Sequence, residues 1–375
     1  MRTRVAMLRS KSLGGVEPRL AKEARALAGA GYDVHLVLWD RDLSFPPEEV
    51  RDSYRIHRVR YPAPYNHPSL AWKLPRWWSR AYRVLRTLQP AIVHAADYDT
   101  VPPALKAHRD LGSKFVFDIW DFYADMILAR VPRFVRRALR RREAQAIELA
   151  DLVILPDMIG RQRIMREPRK LIEVMNVPEE GPVVPRRAEG FTVFYAGNIA
   201  RDRGILELLP ATEAMGARLL VAGKGPGESE ILPPIQASPR ARYLGQLPHE
   251  EVVRYAAGAD VIPLLYDPSI PINRIASPNK LYEAMMLSKP VIVSDGTSMA
   301  ELVREEDIGL VVRYGDPVAL RAALDRLAGS PELRERLGSR ARRLYEGRYR
   351  WTQMRDRLVR AYDILATTTS EEGAS

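Results

Sequence analysis

Cysteine is absent from this 375-residue chain, which excludes disulfides, thiol nucleophiles and thiolate metal sites. Histidine is scarce: six residues, none paired at ligand spacing on a helix, so no metal is expected. No run of about eighteen apolar residues occurs, and no expected helix is apolar enough to span a bilayer. The start, "MRTRVAMLRSKSLGGVE", is basic, but its apolar stretch is short and broken by Arg9. Export is therefore not expected, and a cytoplasmic location is. The Gly-x-Gly-x-x-Gly fingerprint and the Gly-Lys-Ser/Thr phosphate loop are also missing, which ranks NAD-linked and phosphate-loop chemistry low. No nucleic-acid recognition module is present, so nucleic acid is not an expected partner.

What the chain has is positive charge. The formal net charge is +11, carried mostly by arginine, which reads either as a compositional bias of the source or as attraction to something anionic: phosphorylated small molecules, an acidic lipid surface or nucleic acid. At 46% hydrophobic residues the length suits about two domains rather than one core.

Apolar runs alternate with helical patterns along the chain. "RVAMLRS", then a glycine loop and helix, then "YDVHLVLWD" make a strand, helix, strand unit, and "AIVHAAD", "KFVFDIWD" and "ELADLVILPD" add strands. The pattern restarts with "FTVFYAGN", "ARLLVAGKG", "ARYLGQL", "ADVIPLLYD", "PVIVSDG" and "GLVVRYGD". Two successive Rossmann-like domains are expected, over 1–180 and 190–346, joined by the Pro- and Gly-rich stretch 174–190. Residues 347–375 read as an amphipathic helix, apolar at Trp351, Met354, Leu358, Tyr362 and Leu365, with a frayed polar tail. "VPRFVRRALRRREAQAIELA" places Phe134, Val135, Ala138 and Leu139 on one helical face among arginines: a face packed on the sheet or a surface for acidic lipid. The stretch around Trp72, Trp77 and Trp78 reads as loop-like, suited to an interface or to the core.

Residue chemistry points to an anionic ligand. Gly14 and Gly15 follow the first strand, where bare backbone N–H groups can approach a phosphate. Gly197, Arg201 and Arg203 follow a strand in the second half, and Gly223 follows another; arginines there face the crevice that takes ligands in such sheets. In "SPNKLYEAMMLSKPVIVSDG", Lys280 stands near a helix start, where its charge opposes the helix dipole unless an anion is present. Glu283, three residues on, can share its face and accept hydrogen bonds from a diol, or the two can form an ordinary surface pair. Lysine for phosphate and glutamate for ribose is nucleotide chemistry.

The ordered set "GNIARDRG", "LLVAGKGPGESEI", "YLGQLPHEEVVRYAAGADVIPLL" and "SPNKLYEAMMLSKPVIVSDGTSMAEL" resembles the donor-binding half of retaining glycosyltransferases of the GT-B fold, family 4. "LGGVEPRLAKEARALAGAGYDVHLV", "IVHAADYDTVPPAL" and "ELADLVILPD" resemble their acceptor-binding half. The resemblance implies an α/β chain of GT-B architecture, two Rossmann-like domains with parallel sheets facing across a cleft, and a last helix that crosses back. By it, Glu283 binds the donor ribose, and Arg203 with Lys280 holds the diphosphate and acts in catalysis. Gly14, Gly15, Gly197, Asn198, Arg201, Gly223 and Leu281 join the donor site. His94, Asp118, Trp120, Asp121, Asn273 and Arg274 are candidates for the acceptor or the transferred sugar, although for His94 the reading as a satisfied core histidine is the stronger one. Three positions depart from the pattern: Ile275 replaces a first glutamate, Asn198 an arginine, and Trp120 a histidine.

The resemblance implies transfer of a hexose-type sugar, with retention, from a nucleoside diphosphate sugar to a hydroxyl. UDP is favoured over GDP as carrier, and no metal or other cofactor is required. The expected acceptor is a glycan or polyprenyl-linked oligosaccharide at an anionic membrane surface. A nucleotide-sugar epimerase and a non-catalytic anion or lipid binder of the same fold are the alternatives.

Overall fold

The computed structural model describes residues 2–10, 15–51, 53–65, 67, 69–123 and 132–372. They divide into two compact units, Met1–Asn176 with Thr352–Ser375, and Val177–Trp351.

Strands of the first unit are Arg4–Arg9 (β1), Asp33–Asp40 (β2), Glu48–Arg51 (β3), Tyr54–Arg60 (β4), Ile92–Ala96 (β5), Lys114–Asp118 (β6), Leu152–Leu155 (β7) and Leu171–Glu173 (β8). They form one sheet ordered β3-β4-β2-β1-β5-β6-β7-β8, parallel throughout except for β3 against β4. The inner strands are buried on both faces, which is why they read as continuous apolar runs rather than alternating ones. The chain leaves β1 toward β2 on one side and later returns to β5 on the other, so the winding direction reverses between β1 and β5.

Two sequence expectations need correction here, and a third reading is narrowed. The antiparallel pair β3 and β4 and the short β8 were not among the expected strands, although Tyr54 and Ile56 carry a period-two apolar signal. The loop-like reading around the tryptophans fails: Leu70–Leu88 is a helix, because Trp77, Ala81 and Leu85 recur at helical spacing and are buried. Within it Trp77 stacks on Trp39, Trp78 packs on the core, and Trp72 is 76% exposed. In Arg133–Leu149 the buried residues are Glu143, Ala144, Ala146 and Ile147, all in the second half, while Phe134 is 74% exposed.

The second unit has strands Thr192–Asn198 (β9), Arg218–Lys224 (β10), Ala241–Tyr243 (β11), Ile262–Leu264 (β12), Val291–Ser294 (β13) and Gly309–Val312 (β14). Two parallel ladders, β11-β10-β9 and β12-β13-β14, meet at a parallel bridge between Val193 and Val261. The resulting order is that of a doubly wound dinucleotide-type sheet, with its reversal between β9 and β12.

The last helix, Trp351–Glu372, belongs to the first unit from Thr352 onward. Met354, Leu358, Tyr362 and Leu365 are its buried stripe. It continues to Glu372, through residues expected to fray.

Candidate active site

In the second unit, Gly197, Asn198, Arg201 and Arg203 stand at or just beyond the carboxyl end of β9, beside the exit of β12, where the winding reverses and such sheets take their ligands. Beyond β9 the chain turns through Arg201–Arg203 into Gly204, whose φ of 63° opens the helix Ile205–Ala214. A side chain at Gly204 would meet Leu265 at 2.5 Å, so this glycine seats the turn on the exit of β12.

Arg203 is held from three sides. Its guanidinium donates to Asp202 at 2.8 Å and to the side-chain oxygen of Asn273 at 2.9 Å, and lies 4.0 Å over the ring of Tyr266. Asn273, buried on Pro271–Arg274, donates in turn to Asp202 at 3.0 Å and to the carbonyl of Asp267 at 3.1 Å. A cation so oriented is rigid, and only part of its charge is neutralised. Arg201, by contrast, is 77% exposed and pairs with Glu230.

Glu283 sits in the second turn of the helix Asn279–Met286 and is only 4% exposed. Lys280 Nζ donates to its Oε2 at 2.8 Å, and His249 Nδ1 stands 3.9 Å from Oε1. The anion facing Lys280 is therefore Glu283 itself, and the pair is half-buried rather than a surface pair. His249 gave no sequence signal: it opens the helix His249–Gly258, remote in the chain.

Two donor candidates have their groups already engaged. The N–H of Gly223 donates to the Gly245 carbonyl at 2.9 Å, and the Gly223 carbonyl accepts from Tyr243 at 2.8 Å. Glycine is needed there because a Cβ would fall 1.8 Å from the carbonyl oxygen of Gly197 on the neighbouring strand. Leu281 is buried, and its N–H is taken by the Pro278 carbonyl at 3.0 Å. Gly197 and Asn198 end β9, with Asn198 exposed, and Arg274 is exposed with its Nε on the Pro268 carbonyl at 2.6 Å. Ile275 is half-buried beside it.

In the first unit, buried ion pairs line the carboxyl ends of β1, β5 and β6. Arg9, ending β1, pairs with Asp97 and Glu17 and lies 3.9 Å over the ring of Trp120. Asp97, at a φ of 69°, accepts the N–H groups of Trp120 at 3.1 Å and of Asp121 at 3.4 Å. The indole N–H of Trp120 donates to Asp118, so tryptophan keeps a donor in this place but brings no titratable base. Asp121 is exposed. Asp118 is fully buried and receives Arg19 at 2.8 Å; burial pushes its carboxyl up, but Arg19, His94 and Trp120 together outweigh this and hold it below the usual range.

His94 is not beyond its strand but within β5, fully buried, with Nδ1 2.6 Å from the Tyr362 hydroxyl. It sits in the core of the first unit. Ligand-type atoms of Glu23, His94 and Asp118 lie within 4.8 Å of one another, but Arg19 already touches both carboxylates and fills the place of a cation. Gly15 is buried with a φ of 112°, which glycine alone adopts readily, and Gly14 lies outside the described residues.

Comparison with known proteins agrees with this geometry. Residues 14–166 match the family described as Glycosyl transferase 4-like domain, and residues 190–330 match Glycosyl transferases group 1. The phosphatidyl-myo-inositol mannosyltransferase of Mycobacterium leprae is 30% identical over 193 residues, 48% of this chain and 49% of that protein. The chain spans about half the length of most curated relatives it matches. Among solved structures, sucrose-phosphate synthase from Thermosynechococcus elongatus superposes with a TM-score of 0.80 at 18% identity, over 98% of this chain and 100% of that one. HepE from Anabaena in complex with UDP gives 0.70 at 13% identity, over 96% and 100%. The chain therefore has the GT-B fold, and a stretch in each half is similar to a glycosyltransferase domain family.

Proposed function

We propose that this protein transfers a hexose-type sugar from a nucleoside diphosphate sugar to a hydroxyl of a glycan or lipid-linked acceptor, with retention of configuration. The observation that carries this reading is the buried Glu283, oriented by Lys280 at the start of a helix, together with the clamped Arg203 where the sheet reverses. Glu283 accepts the ribose hydroxyls, and Lys280 turns from it to the phosphates. As the bond to the sugar breaks, negative charge grows on the diphosphate, and fixed cations at Arg203 and Lys280 stabilise it. These cations take the part that a metal plays in other transferases, and the departing phosphate oxygen takes the acceptor proton. UDP as the carrier is supported by HepE, which was solved with UDP.

An acceptor at the inner face of an anionic membrane is supported by the arginine-rich helix. Arg133, Arg136, Arg137, Arg140 and Arg141 line a groove of ≈ 690 Å³ with exposed Phe134 and Met165, a mix of cation and apolar tip that suits lipid head groups. None of the described helices is long and apolar enough to cross a membrane.

The test is a thermal-shift screen of UDP, GDP, ADP and their sugars, followed by transfer assays with labelled donors, using wild type beside Glu283→Ala. One nucleotide should stabilise the wild type by about 2.7 kcal/mol at ~100 times its dissociation constant and leave the variant unmoved. Stabilisation by none of them overturns the reading.

A further inference from the structure

The carboxyl edge of the first unit's sheet carries three buried arginines, and they differ in one respect. Arg9 is paired with Asp97 and Glu17, and Arg19 with Asp118 and Glu23. Arg41, directly after β2, is only 6% exposed, yet its guanidinium makes no hydrogen bond or ion pair among the described residues, and its Nε is buried without a partner. Its close companions are rings: Trp39 at 4.2 Å and Tyr65 at 5.0 Å from the guanidinium carbon. Of the nearby carboxylates, Asp42 accepts the Tyr65 hydroxyl at 3.1 Å and Asp99 accepts Ser10 through Oδ2; neither forms an ion pair with Arg41, although both charges act on it.

Burying an arginine without a paired carboxylate costs folding free energy even with the charges of Asp99 and Asp42 nearby, and a protein that needed only packing here has cheaper apolar choices. The position also matters. Arg41 ends the strand next to β1, beside the β1/β5 reversal where a doubly wound sheet takes its ligand, and a planar guanidinium suits two oxygens of one phosphate. We infer that Arg41 anchors an anion subsite in the first unit, and that the acceptor carries a phosphate group bound there. The word acceptor rests on the transfer reading above; the subsite itself does not.

Full-length wild type, Arg41→Met and Arg41→Lys are titrated with glycerol 3-phosphate and, separately, with phosphatidic acid vesicles against phosphatidylcholine vesicles. Tryptophan fluorescence reports binding, since the Trp39 ring lies beside the guanidinium. Arg41→Met should weaken phosphate binding about ten- to a hundredfold, Arg41→Lys less, while the melting temperature of Arg41→Met stays level or rises. Arg41-dependent binding of the soluble ester points to a sugar phosphate or similar soluble group, and dependence seen with vesicles alone points to a lipid phosphate. Equal affinity in wild type and Arg41→Met, no phosphate binding in either arm, or a lower melting temperature with unchanged affinity overturns the inference and leaves Arg41 a packing residue. UDP affinity is measured alongside: its absence sinks the transfer reading and leaves the Arg41 result standing.

Discussion

Tyr362 on the last helix and His94 in the middle of β5 share a 2.6 Å hydrogen bond across 268 positions of sequence. Both are fully buried, so this bond ties the end of the described chain to the centre of the first sheet. Tyr362→Phe removes the hydroxyl and leaves a ring nitrogen of His94 without its partner in the core. The expected cost is about 1–3 kcal/mol, read as a lower midpoint in urea unfolding. An unchanged midpoint would show that the contact contributes nothing.

Glu23 gives the first unit a pH dependence. Burial, and then the charge of Asp118, push its carboxyl from 4.5 up to about 7. The folded chain thus holds this proton more tightly than the unfolded one. The associated stability is present in full below about pH 4.5 and is lost as pH rises toward 7. Melting temperatures of wild type against Glu23→Gln should converge at the acid end and separate toward neutrality, with the variant the flatter curve.

Glu283→Gln keeps the shape of the side chain and removes its charge. If the carboxylate accepts ribose hydroxyls, nucleotide affinity measured by calorimetry should fall about ten- to a hundredfold. Equal affinity removes Glu283 from the donor site.

Arg203→Ala deletes the clamped cation while Asn273 still caps Asp202 at 3.0 Å. Turnover should drop about 10²–10³-fold, the usual loss when one preorganised charge-stabilising donor is removed. A variant that keeps its turnover rules out the electrostatic role.

Gly223→Ala and Gly197→Ala separate strand packing from ligand approach. A Cβ at Gly223 would collide with the Gly197 carbonyl at 1.8 Å, while one at Gly197 meets only the Tyr195 hydroxyl at 3.3 Å. The first should destabilise the chain by more than about 4 kcal/mol and the second by about 1 kcal/mol or less, compared by thermal unfolding. Similar losses in both would sink the packing explanation of Gly223.

The sequence by itself determined the alternation of apolar strands and amphipathic helices, the restart near residue 190 and the Lys280 to Glu283 spacing. Those signals are local: period, composition and turn chemistry act within a few residues. It also misled where local signals were weak or mixed, as in Leu70–Leu88, where polar and aromatic residues hid a helix whose buried stripe is only Trp77, Ala81 and Leu85. Only the tertiary structure decided that His94 pairs with Tyr362 in the core, that Gly223 leaves room for the Gly197 carbonyl, and that Arg41, alone among the four buried arginines of the described residues, forms no ion pair with a carboxylate. A charge is read from one letter of the sequence. Its partner is set by which strands lie side by side, and hydrogen bonds and desolvation depend on that distance.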